Sequence, residues 1–494
     1  MPVRVVGLSM SRDIAAELEK IVKPVLHLGR VPGLAIGIVR DGRLLLAEGY
    51  GYRDLEAKLP MTARTAYPIA STTKAINATT LGVLVDERVL SWDQPVQRYA
   101  PNFRISDAAA SAQVTLRDLL SMRTGLPRHD WVWMHNSISR AQLLEAMQHL
   151  EMSAPFRDRF QYNNLSVCVA GHIAEIVTGQ TWESLVQRKL LDPVGMTSTS
   201  FKAPADDFTR SYHETIRREL LRTQPSRCEV TAPSGGAIHS TVEDMTRWLL
   251  LNMNGGRACE RTVIHSQTLA HIHAPQIGVG SDLSAPSPNA AYAMGWFVDT
   301  YNGHARLSHG GYLDDVNSSV MLFPAQRIGV VCFLNFGPPA LARLVNQHVF
   351  DLLMGLQPAQ TLEQALALYE SKIEGTCQRN NSIRRVENTS PSHVLSEYEG
   401  RYEHPAYGMI DIRYHRDGLE LHRGDLALKL NHWHYDAWVA EESDLFPIHV
   451  PHVFDRSSRL MFESSPDGEI CGLSVRFEPA ARPIQFYKRR LSQR

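Results

Sequence analysis

Ser71-Thr72-Thr73-Lys74 places a hydroxyl and an amine three residues apart. On a helix, side chains at i and i+3 share a face, so the spacing predicts the Lys74 ammonium beside the Ser71 hydroxyl. A serine is a weak nucleophile until a neighbour takes its proton, and a partly desolvated lysine can be that base or assist another. Only Lys74, among the lysines of this chain, has a serine at this offset. Alone, the pattern arises by chance in a chain of this length, and its bland reading is a helix N-cap serine beside a solvated lysine.

Two more segments can complete a site. Tyr162-Asn163-Asn164 is the only Tyr-x-Asn in the chain. A tyrosine can serve as general base where a nearby cation stabilises the phenolate. Asn164 both donates and accepts, so it could orient Lys74 and bind a substrate carbonyl. In His309-Gly310-Gly311-Tyr312, adjacent glycines let a substrate approach the backbone. The Tyr312 N–H could then join that of Ser71 as an oxyanion donor. His-x-Gly also occurs at His27-Leu28-Gly29, which reads as a helix end.

The elements that must carry these residues follow from periodicity and turn signals. A helix is predicted from an N-cap at Ser11 to about Leu28, then strands over 34–39 and 44–48 joined across Asp41-Gly42. A helix over 70–88 carries Ser71 and Lys74, and Thr115 with Asp118 caps a short helix before 121–125. Helical spacing recurs over 165–177 and 182–191, and Ser240 with Glu243 reads as a capping box for a helix to Leu251. Strands return over 294–300, 305–308, 317–323 and 328–335, followed by a helix over 341–356. A polar linker over 378–391 leads to short alternating strands from Tyr398, with turns at Asp417-Gly418 and Pro466-Asp467-Gly468. The expected fold is α/β: an antiparallel sheet flanked by helices, a helical lobe, and a small C-terminal antiparallel β-barrel. The expected divisions are 1–360, a helix and linker over 361–395, and 396–494.

On helix, loop and strand, in this order, the three motifs resemble those of the serine β-lactamase and penicillin-binding-protein-like hydrolases, and in particular the class C, D-aminopeptidase and esterase subgroup. The likeness runs over about residues 12 to 355 and includes the stretch Asp118 to Pro127 and Pro233-Ser234-Gly235-Gly236. It implies Ser71 as nucleophile, Lys74, Tyr162, Asn164 and His309 as catalytic partners, and Gly310, Gly311 and Tyr312 beside the substrate. The C-terminal part is similar to a lipocalin-like domain. The third motif departs from the β-lactamase form, with His309 where a lysine would stand. A histidine is mostly neutral at pH 7, so hydrolysis of esters or of amides and peptides, D-configured ones included, is expected over β-lactam turnover. Transfer of the acyl group to an amine or alcohol, peptide cyclisation included, would use the same residues. A non-catalytic binding protein would not need them.

Composition narrows the partners. With a formal net charge of -1 and 44% hydrophobic residues, the chain offers no basic field for nucleic acid or anionic membrane. No apolar run is long enough to span a bilayer, and the N-terminus lacks the apolar core of a secretory signal. The expected partner is a small molecule or peptide, with oligomeric state left open. Six scattered cysteines read as reduced thiols of a cytoplasmic protein. Cofactor and metal are expected to be absent: the pairs His271/His273 and His432/His434 would each share a strand face, but no further ligand completes either.

Overall fold

The computed structural model describes residues 8–215, 218–223, 229–280, 287–381, 383–416, 418–440 and 458–489. Strands β1 (Gly33–Arg40) and β2 (Arg43–Asp54) form a hairpin across Asp41 and Gly42, whose φ values of 52° and 76° match a turn that follows the strand twist. The sheet continues with β3 (Leu59–Pro60), β4 (Ile277–Gly278), β5 (Ala291–Tyr292), β6 (Phe297–Tyr301), β7 (His304–Leu313), β8 (Val316–Phe323) and β9 (Ile328–Leu334). Nine strands lie in the order β4-β5-β6-β7-β8-β9-β1-β2-β3, every pairing antiparallel.

The sheet is covered on both faces, which is why β1 reads as an unbroken apolar run. Helices α1 (Leu8–Leu28), α2 (Thr73–Asp86), α3 (Leu116–Leu120), α4 (Asn164–Thr178), α5 (Val242–Met253), α6 (Leu341–Met354) and α7 (Leu362–Asn381) supply the cover and the lobe. Leu34, Ile36 and Ile38 pack with Leu18 and Val22 of α1 and Val345 and Val349 of α6. Ala35 and Val39 face the opposite way, into the core containing Trp248 of α5 and all of the lobe. Alternation with a period of two thus divides one strand between two cores.

Several boundaries differ from expectation. Helix α1 begins at Leu8, upstream of Ser11. The cap of α5 is Thr241, whose hydroxyl accepts the Asp244 N–H at 3.1 Å, because Ser240 belongs to a short strand paired with Tyr67. Helix α7 continues to Asn381, so the linker is shorter than expected. His271 and His273 lie on a helix, Ser266–His273, not a strand. Asp417 lies outside the described residues.

The C-terminal part is a closed eight-stranded antiparallel barrel: β10 (Gly400–His404), β11 (Gly408–His415), β12 (Gly418–Arg423), β13 (Leu426–His434), β14 (Ala437–Ala440), β15 (Leu460–Ser464), β16 (Ile470–Val475) and β17 (Ile484–Lys488). Tyr402 opposite Lys488 closes it, and Tyr402, Ile410, Leu421, Phe462 and Phe486 are buried in its core. The barrel seats on residues 129–136 of the hydrolase-like part. Trp131 stacks on Phe477 with centroids 4.4 Å apart. Buried Arg423 donates to the carbonyls of Trp131, of Met134 at 3.3 Å and of Tyr407 at 2.6 Å. No helix among the described residues is long and apolar enough to cross a membrane.

Candidate active site

Ser71 sits in a 3-10 turn, Ala70–Thr72, that feeds directly into α2. The turn is forced: Ala70 has φ 49°, a left-handed conformation that costs a residue with a Cβ about 1 kcal/mol or more. Neighbours hold it there. The Ile69 carbonyl accepts from Ser318 Oγ at 2.6 Å and Thr72 Oγ1 at 2.7 Å, and the Ile69 N–H donates to the Ile238 carbonyl at 3.0 Å. Two glycines press on the same backbone. A Cβ on Gly235, which has φ 140°, would lie 2.9 Å from Ser71 N, and one on Gly311 would lie 2.6 Å from the Ile69 carbonyl oxygen. Only residues without a side chain permit this approach.

Lys74, one turn further, is fully buried. Its Nζ donates to Ser71 Oγ at 2.8 Å and to the Ser234 carbonyl at 2.6 Å. Among the described residues it makes no ion pair with a carboxylate. Tyr162 arrives from the loop before α4, with Lys74 Nζ 4.9 Å from its ring centroid. Arg128 Cζ lies 4.8 Å from the same centroid. Ser71 and Lys74 of the first motif and Tyr162 of the second are therefore in one cluster.

The two asparagines divide the work. Asn163 is the N-cap of α4, accepting the Ser166 N–H at 2.7 Å. Asn164 donates to Asp130 Oδ1 at 2.8 Å, and the expected bond to Lys74 is not formed. Asp130 also accepts from Arg128 Nε at 2.5 Å and Trp133 Nε1 at 3.0 Å. The loop that brings Arg128 and Asp130 is anchored upstream by Asp118, the partner of Thr115 in the capping box of α3. Burial would raise the Asp118 carboxyl, but Arg157, Thr115 and Arg123 outweigh it and hold its pKa low.

His309 lies on β7, 2% exposed. Its Nδ1 is 2.6 Å from the Gly310 carbonyl, which can only accept, so Nδ1 carries the proton. Nε2 then accepts the Tyr292 hydroxyl at 3.0 Å. Burial, with Lys74 nearby, pushes the His309 pKa down to about 3. The imidazole is neutral, packed against Tyr162, Tyr292 and Phe297. Beyond Ser308, β7 has lost its partner β6 and pairs only with β8, so Gly310, Gly311 and Tyr312 run along the Ser71 turn on an edge that β6 does not cover. The Tyr312 hydroxyl donates to Asp315 Oδ1 at 2.6 Å. Asp314 and Asp315, with φ 48° and 65°, form the hairpin turn.

Neutral burial of histidine carries a stability cost in acid. His309 and His273, the latter held at about 4 by burial, take up a proton in the unfolded chain near 6.5 but not in the folded one. Their contribution is complete above pH 6.5 and is lost as pH falls toward 4. Together they are expected to remove about 3 kcal/mol between pH 6.5 and 5, a large share of a typical folding free energy. Denaturant titrations at these pH values measure it. Asp244, Asp315 and Asp351, raised by burial, act in the opposite direction.

Metal-ligating residues gather elsewhere. On the barrel, His415 Nε2 and His422 Nε2 lie 3.4 Å and 2.5 Å from Glu420 Oε2. Arg413 on β11 and Lys429 on β13 stand in register with Glu420, on either side of it, a poor setting for a cation. His432 and His434 flank a bulge and bond to the Tyr435 carbonyl and the Val386 N–H. Cys168 and Cys332 are buried free thiols, whereas Cys259 and Cys471 are exposed.

Sequence reading missed Arg128, Asp130 and the role of Ser234. Arg128 directly follows Gly125-Leu126-Pro127, the one local signal that could have flagged it.

Comparison with known proteins identifies the family and the fold. The family model described as Beta-lactamase matches residues 18–353, and one described as a domain of unknown function, DUF3471, matches residues 384–488. Protein flp of Staphylococcus aureus is 28% identical over 376 residues, covering 74% of this chain and 71% of that protein. Unguisins hydrolase ungD of Aspergillus violaceofuscus is 25% identical over 441 residues, covering 81% and 77%. Among solved structures, the octameric penicillin-binding protein homologue from Pyrococcus abyssi shares the fold with a TM-score of 0.62 at 21% identity, over 96% of this chain and 100% of that one. EstCE1, a hydrolase with promiscuous acyltransferase activity, gives a TM-score of 0.59 at 22% identity, over 69% and 98%. With the family model spanning well over half of its length, and the fold in agreement, the chain belongs to the Beta-lactamase family.

Proposed function

We propose that the protein is a serine hydrolase that forms an acyl-enzyme on Ser71 and hydrolyses small esters or amides, peptides and D-configured amides included. The observation that carries this reading is the 2.8 Å contact from Lys74 Nζ to Ser71 Oγ in a turn held under strain. A hydroxyl that accepts from the ammonium has its own proton to give elsewhere. Tyr162, whose ring borders the same ammonium, takes it, and Lys74 and Arg128 balance the charge of the phenolate. Ser71 Oγ adds to the carbonyl carbon, and the N–H groups of Ser71 and Tyr312 receive the charge on its oxygen. As the bond to the leaving group breaks, Tyr162 returns the proton to it. Water, deprotonated by Tyr162, then cleaves the ester on Ser71, and Tyr162 returns that proton to Ser71 Oγ as it leaves.

Asn164 has one amide hydrogen committed to Asp130, which leaves the other for a substrate carbonyl. The neutral His309 supplies no cation for a β-lactam carboxylate, which favours ester and amide substrates. The barrel is read as a lipocalin-like module. Two relatives named as hydrolases support the reaction class, and the acyltransferase activity of EstCE1 favours carrying acyl transfer as a second outcome.

The test is to mix the protein with p-nitrophenyl esters, D- and L-amino-acid amides and a chromogenic cephalosporin, quench in acid and map the adduct by mass spectrometry. An acyl mass on the peptide containing Ser71 is expected. Turnover with the adduct on another residue, or with none, rejects the reading. Added alcohol that appears in the product identifies transfer.

A further inference from the structure

Of the three motifs, only Lys74 offers Tyr162 a cation, because His309 is neutral and committed to Tyr292 and Gly310. A second cation comes from outside the three motifs. Arg128 lies 4.8 Å from the Tyr162 ring centroid, and its Nε is held on Asp130, which also ties Asn164 at the start of α4. A planar guanidinium fixed by a carboxylate is a directed charge.

The barrel adds its own hold on this segment. The His129 N–H donates to Glu478 Oε2 at 2.8 Å. The His129 ring bridges the domains: Nε2 donates to the Glu151 carbonyl at 2.9 Å, so Nδ1 accepts the Tyr407 hydroxyl at 2.7 Å. His129 has φ 49°, a left-handed conformation immediately after Arg128. Arg423 draws in the next carbonyls, and it does so while 3% exposed. Residues 129–134 are therefore shaped by contacts that the hydrolase-like part does not make for itself.

We propose that Arg128 is a positioning residue for Tyr162 in the acylation step, and that the C-terminal barrel sets its orientation through Glu478 and Arg423. The proposal rests on the Ser71 and Tyr162 chemistry above. It gives the barrel a part in the reaction without placing any barrel atom at the substrate.

The experiment uses the full chain and a p-nitrophenyl ester. Arg128→Met is expected to lower kcat/KM by ~10- to 100-fold. Its rising pH limb should move to higher pH, the thermal midpoint should fall only modestly because Trp133 and Asn164 still donate to Asp130, and Arg128→Lys, which keeps the charge but not the planar fork, should restore part of the loss. Glu478→Gln, close to isosteric, and Arg423→Met should each lower kcat/KM in the wild-type background and cost little more in the Arg128→Met background. Should Arg423→Met fail to fold, Glu478→Gln carries the same cycle. Arg128→Met within twofold of wild type overturns the proposal, as do losses that simply multiply. Ser71→Ala, run alongside, separates the two readings: if it retains turnover, the acyl-enzyme reading fails, whereas a dead Ser71→Ala beside a fully active Arg128→Met rejects this inference alone.

Discussion

Lys74→Met is expected to lower kcat/KM by ~10³-fold or more while the protein stays folded. Methionine keeps the length and most of the volume but removes the ammonium that contacts Ser71 Oγ and borders Tyr162. Both the proton transfer and the charge balance then fail together. Folding feels two opposed effects. A fully buried ammonium with no carboxylate partner among the described residues carries a desolvation penalty that an apolar side chain avoids. Against that, the Ser234 carbonyl loses its donor, a cost of ~1–3 kcal/mol. The terms are of similar size, so the thermal midpoint should move by only a few degrees. Steady-state kinetics beside a thermal scan decides it: activity within tenfold of wild type removes Lys74 from the machinery, and a collapsed midpoint makes its role structural.

What could be read in the sequence was what local chemistry determines. Ser71, Lys74 and the α3 capping box depend on offsets of three residues within one turn, and β1 shows its burial on both faces in its unbroken apolar run. Asp41-Gly42 dictates its hairpin in the same way. Asn164 was legible as a candidate but not in its partner, because Asp130 stands 34 residues away and reaches it only once the loop has closed. Arg128 was harder still: its orientation depends on His129, which the barrel holds from Glu478, 349 residues on. His271 and His273 were misplaced because a spacing of two suggests a strand, whereas the apolar pattern of Leu269 and Ile272 belongs to a helix. The shift of the α5 cap from Ser240 to Thr241 followed from pairing with Tyr67, a contact no local pattern encodes.

Tyr162→Phe separates the two candidate bases. Phenylalanine keeps the ring, so the contacts with Lys74 and Arg128 and the packing against Phe160 and His309 persist, and only the oxygen is lost. If Tyr162 moves the proton, acylation and deacylation should both fall, by ~10²- to 10⁴-fold. If Lys74 alone were the base, the phenol oxygen would be a spectator and Tyr162→Phe would retain most of the burst. The double variant sharpens the distinction. Groups on one proton path lose their effect together, so Lys74→Met/Tyr162→Phe should be little worse than the more damaging single change. Independent losses would instead multiply and leave no measurable turnover. Rapid-quench measurement of the burst on a p-nitrophenyl ester reads acylation directly, and the steady rate after it reads deacylation. A normal burst in Tyr162→Phe would return the base to Lys74 and require its N–H contact with Ser71 Oγ to be reversed, with the neutral amine accepting from the hydroxyl.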